Sequence, residues 1–264
     1  MTELTFAQID AFADRPFAGN PAAVMPMDAW LDDVVLQAIA AENNLAETAF
    51  LIPDQSGRAD YELRWFTPTV EVELCGHATL ASGHWLLSND AALDRVTFAT
   101  REAGVLTVAR DGAGYAMALP AYPPSPVEMP ELLAALGVER GEVLRHAAGY
   151  DMVVLDDGDA VRALRPDFRA LAAIGDTLNI VTAPGTDTDV VSRVFAPAVG
   201  IDEDPVTGSA HCVLTPYWAA RLGRSRFTAF QASARGGHVD CEAAGERVIL
   251  RGQCVTVIEG RFRL

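Results

Sequence analysis

Three side chains are of a type that can take part in proton transfer: Glu47, His77 and Asp204. Glu47 lies in Glu42-Asn43-Asn44-Leu45-Ala46-Glu47-Thr48-Ala49-Phe50, where a helical pattern stops and an apolar strand pattern starts. A carboxyl group set between Leu45-Ala46 and Ala49-Phe50-Leu51 can be partly desolvated, which raises its pKa toward the range useful for proton transfer. Local context alone favours the plainer reading, a turn glutamate facing water. His77 falls in the first turn of a helix beginning at Gly76, where the N-terminal dipole opposes protonation. A neutral, hydrogen-bonding imidazole is expected there, with a satisfied core histidine as the alternative; His84, farther round the same helix, reads as structural. Asp204, in Asp202-Glu203-Asp204-Pro205, precedes a second helix start, so one of these acids either caps that helix or, for Asp204, faces a substrate.

The two helix starts are candidates in their own right. The first turn of a helix leaves backbone N–H groups without partners at a mildly positive end, and glycine lets a ligand come close. Gly76-His77-Ala78-Thr79 and Thr207-Gly208-Ser209-Ala210 therefore serve either as anion cradles or simply as small residues permitting close packing. Their doubling favours the cradle, because two such ends can converge on one carboxylate in a cleft.

Strand-like segments dominate the elements that must position these residues. Leu4–Phe12, Tyr61–Phe66, Gly104–Arg110 and Tyr115–Leu119 read as strands, and so do Met152–Leu155, Asn179–Thr182, Val190–Phe195, Phe227–Ala232 and Arg247–Leu264. An amphipathic helix is expected after an Asp28 cap, with Leu31, Val34, Val35, Ala38 and Ile39 on its inner face. Gly76–Leu87 and Gly208–Leu222 have almost no charge on any face, as a helix enclosed within a domain would; Pro216 is expected to kink or shorten the second. Their separation of roughly 130 residues suggests duplication of a β-rich unit wrapped round one helix. The proline-dense stretch Pro120–Pro130 reads as an extended linker and the natural boundary.

Composition sets the outer limits. The chain has 264 residues, half of them hydrophobic, and a net charge of −16, a balance that repels nucleic acid and anionic membrane. No apolar run approaches the roughly 20 residues that span a bilayer, and the N-terminus enters a strand pattern without a basic leader. The cysteines Cys75, Cys212, Cys241 and Cys254 show no C-x-x-C pairing and no companion histidine cluster. Reduced thiols in the cytoplasm and no bound metal are the expectation.

Taken in order, several motifs combine. Gln8-Ile9-Asp10-Ala11-Phe12 and Pro16-Phe17-Ala18-Gly19-Asn20-Pro21 open the chain. Asn44-Leu45-Ala46-Glu47-Thr48, Arg64-Trp65-Phe66-Thr67-Pro68, Glu73-Leu74-Cys75-Gly76-His77-Ala78-Thr79 and Glu203-Asp204-Pro205-Val206-Thr207-Gly208-Ser209-Ala210 follow. This ordered set resembles the phenazine-biosynthesis PhzF-like family over most of the chain. The resemblance implies an α/β (α+β) fold like that of diaminopimelate epimerase: two similar halves, each a curved, barrel-like mixed sheet round a central apolar helix, with the active site between them. The halves are expected at 1–120 and 127–250, with 251–264 returning to complete the first.

The resemblance also implies an isomerase that needs no cofactor and moves a proton within a small carboxylate-bearing molecule. In the phenazine enzyme a glutamate shifts a proton within a dihydro-hydroxyanthranilate, and Glu47 matches it. His77 and Asp204 match its helpers; Gly76, Gly208 and Ser209 match its carboxylate cradle, and Asn20 joins them as substrate-binding. A homodimer is the family expectation. Ala46 stands where the phenazine enzyme carries serine, which leaves the particular substrate open. Diaminopimelate epimerase and proline racemases use two cysteines instead; Cys75 matches the first, while Pro205 falls at the second and cannot carry a proton. The alternatives are a Cys75-dependent racemase and a non-catalytic binding or scaffold protein that keeps the fold.

Overall fold

The computed structural model describes residues 2–264. The chain divides into two compact units: one runs to Leu119 and resumes over Arg251–Leu264, the other spans Pro120–Leu250. No helix among the described residues is long and apolar enough to cross a membrane.

The first unit is a mixed sheet round the helix Gly76–Asn89. Strand Glu3–Ala11 pairs antiparallel with Asn20–Pro26, which runs parallel to Glu47–Pro53; this pairs antiparallel with Tyr61–Phe66, then parallel with Arg95–Ala99 and antiparallel with Val105–Asp111. The last strand, Cys254–Arg263, lies antiparallel along Glu3–Ala11, with a register shift at Gln8/Ile9. The central helix packs against strands all along this series.

The second unit repeats the series. Glu142–His146, Tyr150–Val154, Leu178–Pro184, Val190–Ala196, Arg226–Gln231 and Gly237–Ala244 pair as antiparallel, parallel, antiparallel, parallel and antiparallel neighbours. The helix here is Gly208–Leu222, and its Trp218 indole donates to Thr182 Oγ1 at 3.0 Å. A matched side-chain clamp marks the repetition. In the first unit Arg64 grips Glu71 through two bonds of 2.7 and 2.8 Å and stands 5.0 Å over Phe66. In the second, Arg193 grips Glu203 at 2.7 and 2.9 Å and stands 5.0 Å over Phe195. Each fork fixes the hairpin that leads into the central helix of its unit.

Several local expectations need correction. The amphipathic helix runs Asp33–Asn43 and is preceded by Asp32, not Asp28. Its buried side chains are Leu36, Ile39 and Ala40, whereas Val34 is 81% exposed and Ala38 faces water. Leu31 precedes the helix, so a periodicity counted from it starts one step out of phase. Pro216 does not shorten its helix, which continues to Leu222. Proline cannot donate to the carbonyl four residues back, but the Tyr122 N–H takes that place and donates to Cys212 O at 2.9 Å. The proline-rich stretch is no free linker either. Ser125–Pro126 pairs with Glu142–His146, and Pro130 begins a helix, a position where its missing N–H costs nothing. Finally, 247–264 is two strands, broken at Gln253.

Helix and sheet approach closely at Gly83. A Cβ there would meet the Val108 side chain at 2.4–2.9 Å, and its nearest atoms include the branch carbon, which cannot swing aside. Gly83→Ala gains about 1 kcal/mol of helix propensity, yet overpacking of this kind costs about 1–3 kcal/mol. The variant is expected to unfold at lower urea concentration than the parent with an unchanged m-value.

Candidate active site

The sequence places Glu47 by a sharp chain reversal. The helix Asp33–Asn43 ends at Asn44, whose left-handed backbone (φ 49°) stops propagation while its N–H caps Ala40 O at 3.1 Å. The strand then begins at Glu47, pairing with Ala22, and Asn43 Nδ2 ties the corner by donating to Thr48 Oγ1 at 3.1 Å. The Glu47 side chain is 13% exposed, against 4% for that of His77. His77 enters from the start of the central helix, behind Cys75 and Gly76.

These residues meet. His77 Nε2 lies 3.1 Å from Glu47 Oε2, and His77 Nδ1 lies 3.4 Å from Cys75 Sγ and 3.2 Å from Asn20 Nδ2. Glu47 Oε2 is buried and makes no hydrogen bond of good geometry, so its contact with His77 is ionic in character. Burial opposes protonation of His77, but negative charge beside the ring, from Cys75 when it is ionised and from Glu47, outweighs it and raises the imidazole well above its ordinary value. The expected neutral imidazole is therefore corrected to one that favours its proton. Burial, reinforced by the Glu47 charge, pushes the Cys75 thiol up to about 11, so at neutral pH the sulfur keeps its hydrogen. A cationic imidazole facing a carboxylate, beside a thiol, is the state we adopt; it requires the Asn20 amide to be turned so that its oxygen accepts from Nδ1–H, since Nδ2 facing Nδ1 suits only the neutral ring.

Asn20 has a different place from the one expected. It is fully buried and holds the His77 ring, which makes it a positioning group instead of a surface for substrate. Its own position depends on Gly19, whose φ of 63° and lack of a side chain are both required: a Cβ would stand 2.1 Å from Ala11 O. His84 is structural, with ring nitrogens 3.0 Å from Tyr115 Oη and 2.9 Å from Thr256 Oγ1 on the returning strand.

In the second unit Asp204, Gly208 and Ser209 fall together at the other helix start. Asp204 does not cap the helix; the N-cap residue is Thr207, and Asp204 accepts a short hydrogen bond from the Thr207 hydroxyl. Gln231, which no sequence motif singled out, locks this corner. Its Nε2 donates to Asp204 O at 2.8 Å and to Thr207 Oγ1 at 3.1 Å, while its Oε1 accepts from Thr207 N at 2.9 Å. Glu203 is taken by the Arg193 clamp. The Tyr150 hydroxyl is pushed up to about 12, chiefly by burial, with the nearby Ser209 acting against the rise. Neither Pro205, expected at the second cysteine position, nor Thr207, directly before Gly208, can supply a thiol.

His211, one turn into the Gly208 helix, is fully buried; Nδ1 donates to Thr207 O at 2.8 Å and Nε2 has no hydrogen-bond partner. Burial, only partly offset by the bond to Thr207, lowers its pKa from the usual 6.5 to about 4. The unfolded chain thus binds a proton between these values that the folded chain refuses. Stability is complete above pH 6.5 and is lost as pH falls toward 4, by a total of about 3 kcal/mol. His77, with its raised value, acts in the opposite sense, losing its contribution as pH rises. His211→Asn keeps a donor for Thr207 O without the titration, so its urea midpoint is expected to vary less than the parent's between pH 6.5 and 4.

Comparison with known proteins gives this geometry its relatives. The family described as phenazine biosynthesis-like protein matches residues 9–260. A Pseudomonas aeruginosa protein described as an uncharacterized isomerase is 52% identical over 266 residues, covering 99% of this chain and 100% of its own. A solved PhzF-family structure from Enterococcus faecalis superposes with a TM-score of 0.92 at 41% identity, covering 100% of both chains. A hydroxyproline epimerase from Agrobacterium vitis shares the fold alone, with a TM-score of 0.63 at 12% identity over 98% of this chain and 92% of its own. With a family match across nearly its whole length and an isomerase-named relative identical at every second position, the chain belongs to the phenazine biosynthesis-like family.

Proposed function

We propose that this protein is an isomerase that takes a proton from one carbon of a small carboxylate-bearing molecule and returns it at another, with Glu47 as the acid/base. The observation that carries this reading is the buried Glu47 Oε2, set 3.1 Å from His77 Nε2 and otherwise without a hydrogen bond. An oxygen so placed is stripped of water yet keeps its lone pairs for a proton on carbon. The imidazolium supports the carboxylate form before abstraction and can polarise a substrate oxygen afterwards. Asp204, fixed by Thr207 and Gln231, is assigned the hydrogen-bonding role of a helper, and the uncapped N–H groups after Gly76 and Gly208 that of holding the carboxylate. Such a step moves only a proton and calls for no redox or carrier cofactor.

Cysteine-based racemisation fits less well, because it needs a thiolate and Cys75 is held as a thiol. Incubation in deuterium oxide with a panel of cyclic and acyclic carboxylates, followed by mass spectrometry, tests both readings. The parent is expected to label at least one compound. Glu47→Gln is expected to slow labelling by about 10²-fold or more while retaining the parent's circular dichroism; labelling at the parental rate would sink the assignment. Cys75→Ser is expected to continue labelling, and its failure to do so while folded would favour the thiol. If no carboxylate is labelled and binding is nevertheless detected, the protein is a non-catalytic member of the fold.

A further inference from the structure

The Gly208 helix starts at a residue suited to cap it that does not. Thr207 occupies the N-cap position with the extended backbone usual there (φ −108°, ψ 97°), and threonine is a good capping residue. Two other helices of this unit are capped in the ordinary way: Asp157 accepts from Ala160 N at 2.8 Å and Asp167 from Ala170 N at 3.0 Å. Asp32 leaves its helix uncapped, but it is exposed and water can serve the N–H groups. Thr207 is buried, as are Gly208 and Ala210 after it, and still its side chain makes no bond to its own helix. We propose that Gln231 is a positioning residue that diverts the Thr207 hydroxyl onto Asp204, and so keeps the first-turn N–H groups of the Gly208 helix uncapped for a substrate carboxylate. The diversion stands on hydrogen-bond geometry; its link to the carboxylate rests on the isomerase reading.

Proton direction follows from one fixed point. The Thr207 backbone N–H can only donate, so the Gln231 amide atom 2.9 Å from it is the oxygen. The amide nitrogen then faces Asp204 O, which can only accept, at 2.8 Å, and Thr207 Oγ1 at 3.1 Å. Turned the other way, the amide would set donor against donor and acceptor against acceptor. With one acceptor position of Thr207 Oγ1 filled by the Gln231 N–H, the hydroxyl proton is directed to Asp204 Oδ2. His211 Nδ1 donates to the Thr207 carbonyl at 2.8 Å. Amide, hydroxyl and carbonyl of Thr207 are thus each tied to a buried side chain, and the residue cannot turn to its helix without breaking the set.

Competition gives the arrangement its consequence. Released from Gln231, the Thr207 hydroxyl can rotate to accept from Ser209 N or Ala210 N, the groups that an N-cap side chain serves. The same N–H groups are those assigned to the substrate carboxylate, so cap and substrate would contend for them. Gln231 ends the strand Arg226–Gln231 and reaches the helix start only through Thr207 and the Asp204 carbonyl. Its effect is therefore on what the first turn can bind.

Neutron diffraction from deuterated crystals of the parent should place the Thr207 hydroxyl deuteron on the line to Asp204 Oδ2; a deuteron directed elsewhere overturns the diversion. Gln231→Met removes the amide. In its crystal structure the Thr207 hydroxyl should stand within hydrogen-bond distance of Ser209 N or Ala210 N, and a hydroxyl that stays on Asp204 overturns the role of Gln231. With a labelled carboxylate in hand, this variant should raise KM for deuterium exchange about fivefold, the weight of an ordinary cap, and change kcat less. Adding Thr207→Val removes the competing hydroxyl and should bring KM back toward the parent's. A merely structural Gln231 gives no such rescue, and a KM in the double variant no lower than in Gln231→Met overturns the proposal. So does a parental KM in Gln231→Met when Thr207 has turned. Should Gln231→Met fail to fold, Thr207→Val alone decides: it should lower kcat through Asp204 at an unchanged KM, and a lowered KM would mean that the hydroxyl had been capping the helix. Absence of exchange in the parent counts against the isomerase reading alone, and the neutron map still decides the diversion.

Discussion

A helix with no polar face has to be enclosed, and each unit of this chain is organised round that necessity. Gly76–Asn89 carries no Asp, Glu, Lys or Arg, and of these Gly208–Leu222 carries only Arg221 near its end. Laid on a surface, either would leave an apolar stripe in water. A sheet curved round the helix removes the stripe, and in the first unit the chain's last strand returns beside Glu3–Ala11 to extend that sheet. Enclosure brings the unpaired N–H groups of the helix N-terminus inside the unit. Neither helix start has a side-chain cap, and the first turns are built from Gly, Ala, Ser, Thr and His.

Electrostatic magnitudes decide the state of that end. A helix N-terminus acts roughly as half a positive charge and, with burial, works against a protonated His77. The Glu47 carboxylate brings a full negative charge to 3.1 Å, in surroundings where water screens it poorly. The full charge at contact wins over the half charge spread along a helix turn. Burial, the larger cause, and the same carboxylate both act against ionising Cys75; hence the thiol is retained. One residue thus bears on the protonation of two neighbours.

Much of this architecture is legible in the residues, and the failures are instructive. Both enclosed helices can be read from their lack of charge, and the family motifs point to Glu47, His77 and Asp204. Failures occur where tertiary partners override local rules. Pro216 would break an isolated helix, but the Tyr122 N–H from a distant segment satisfies the carbonyl it abandons. Val34 fits an apolar periodicity, yet the core formed by Met25, Phe50 and Phe66 takes Leu36 and Ile39 instead. The strand Asn20–Pro26 carries two alanines and two prolines, with little β-branching to betray it, and is made a strand by two neighbours. Gln231 belongs to no motif; only its pairing position brings it to Thr207 and Asp204. The protonation of His77 was missed for the same reason, because the charge that sets it arrives from another strand.

The repeated strand series allows the two units to be compared position by position. Phe50 pairs with Arg64 as Val181 pairs with Arg193, so Glu47 corresponds to Leu178. The scaffold and its arginine clamp are kept in both, while an apolar residue stands at the Glu47 position of the second. What that unit has at its helix start is hydrogen bonding: Thr207 to Asp204, and Gln231 to both. A duplicated unit with two matched acid/base groups would suit removal of a proton from one face of a carbon and delivery to the other. On the proposed reading, a chain with one such group suits withdrawal and return by the same carboxylate, which accords with moving a proton between neighbouring atoms more than with inverting a single centre.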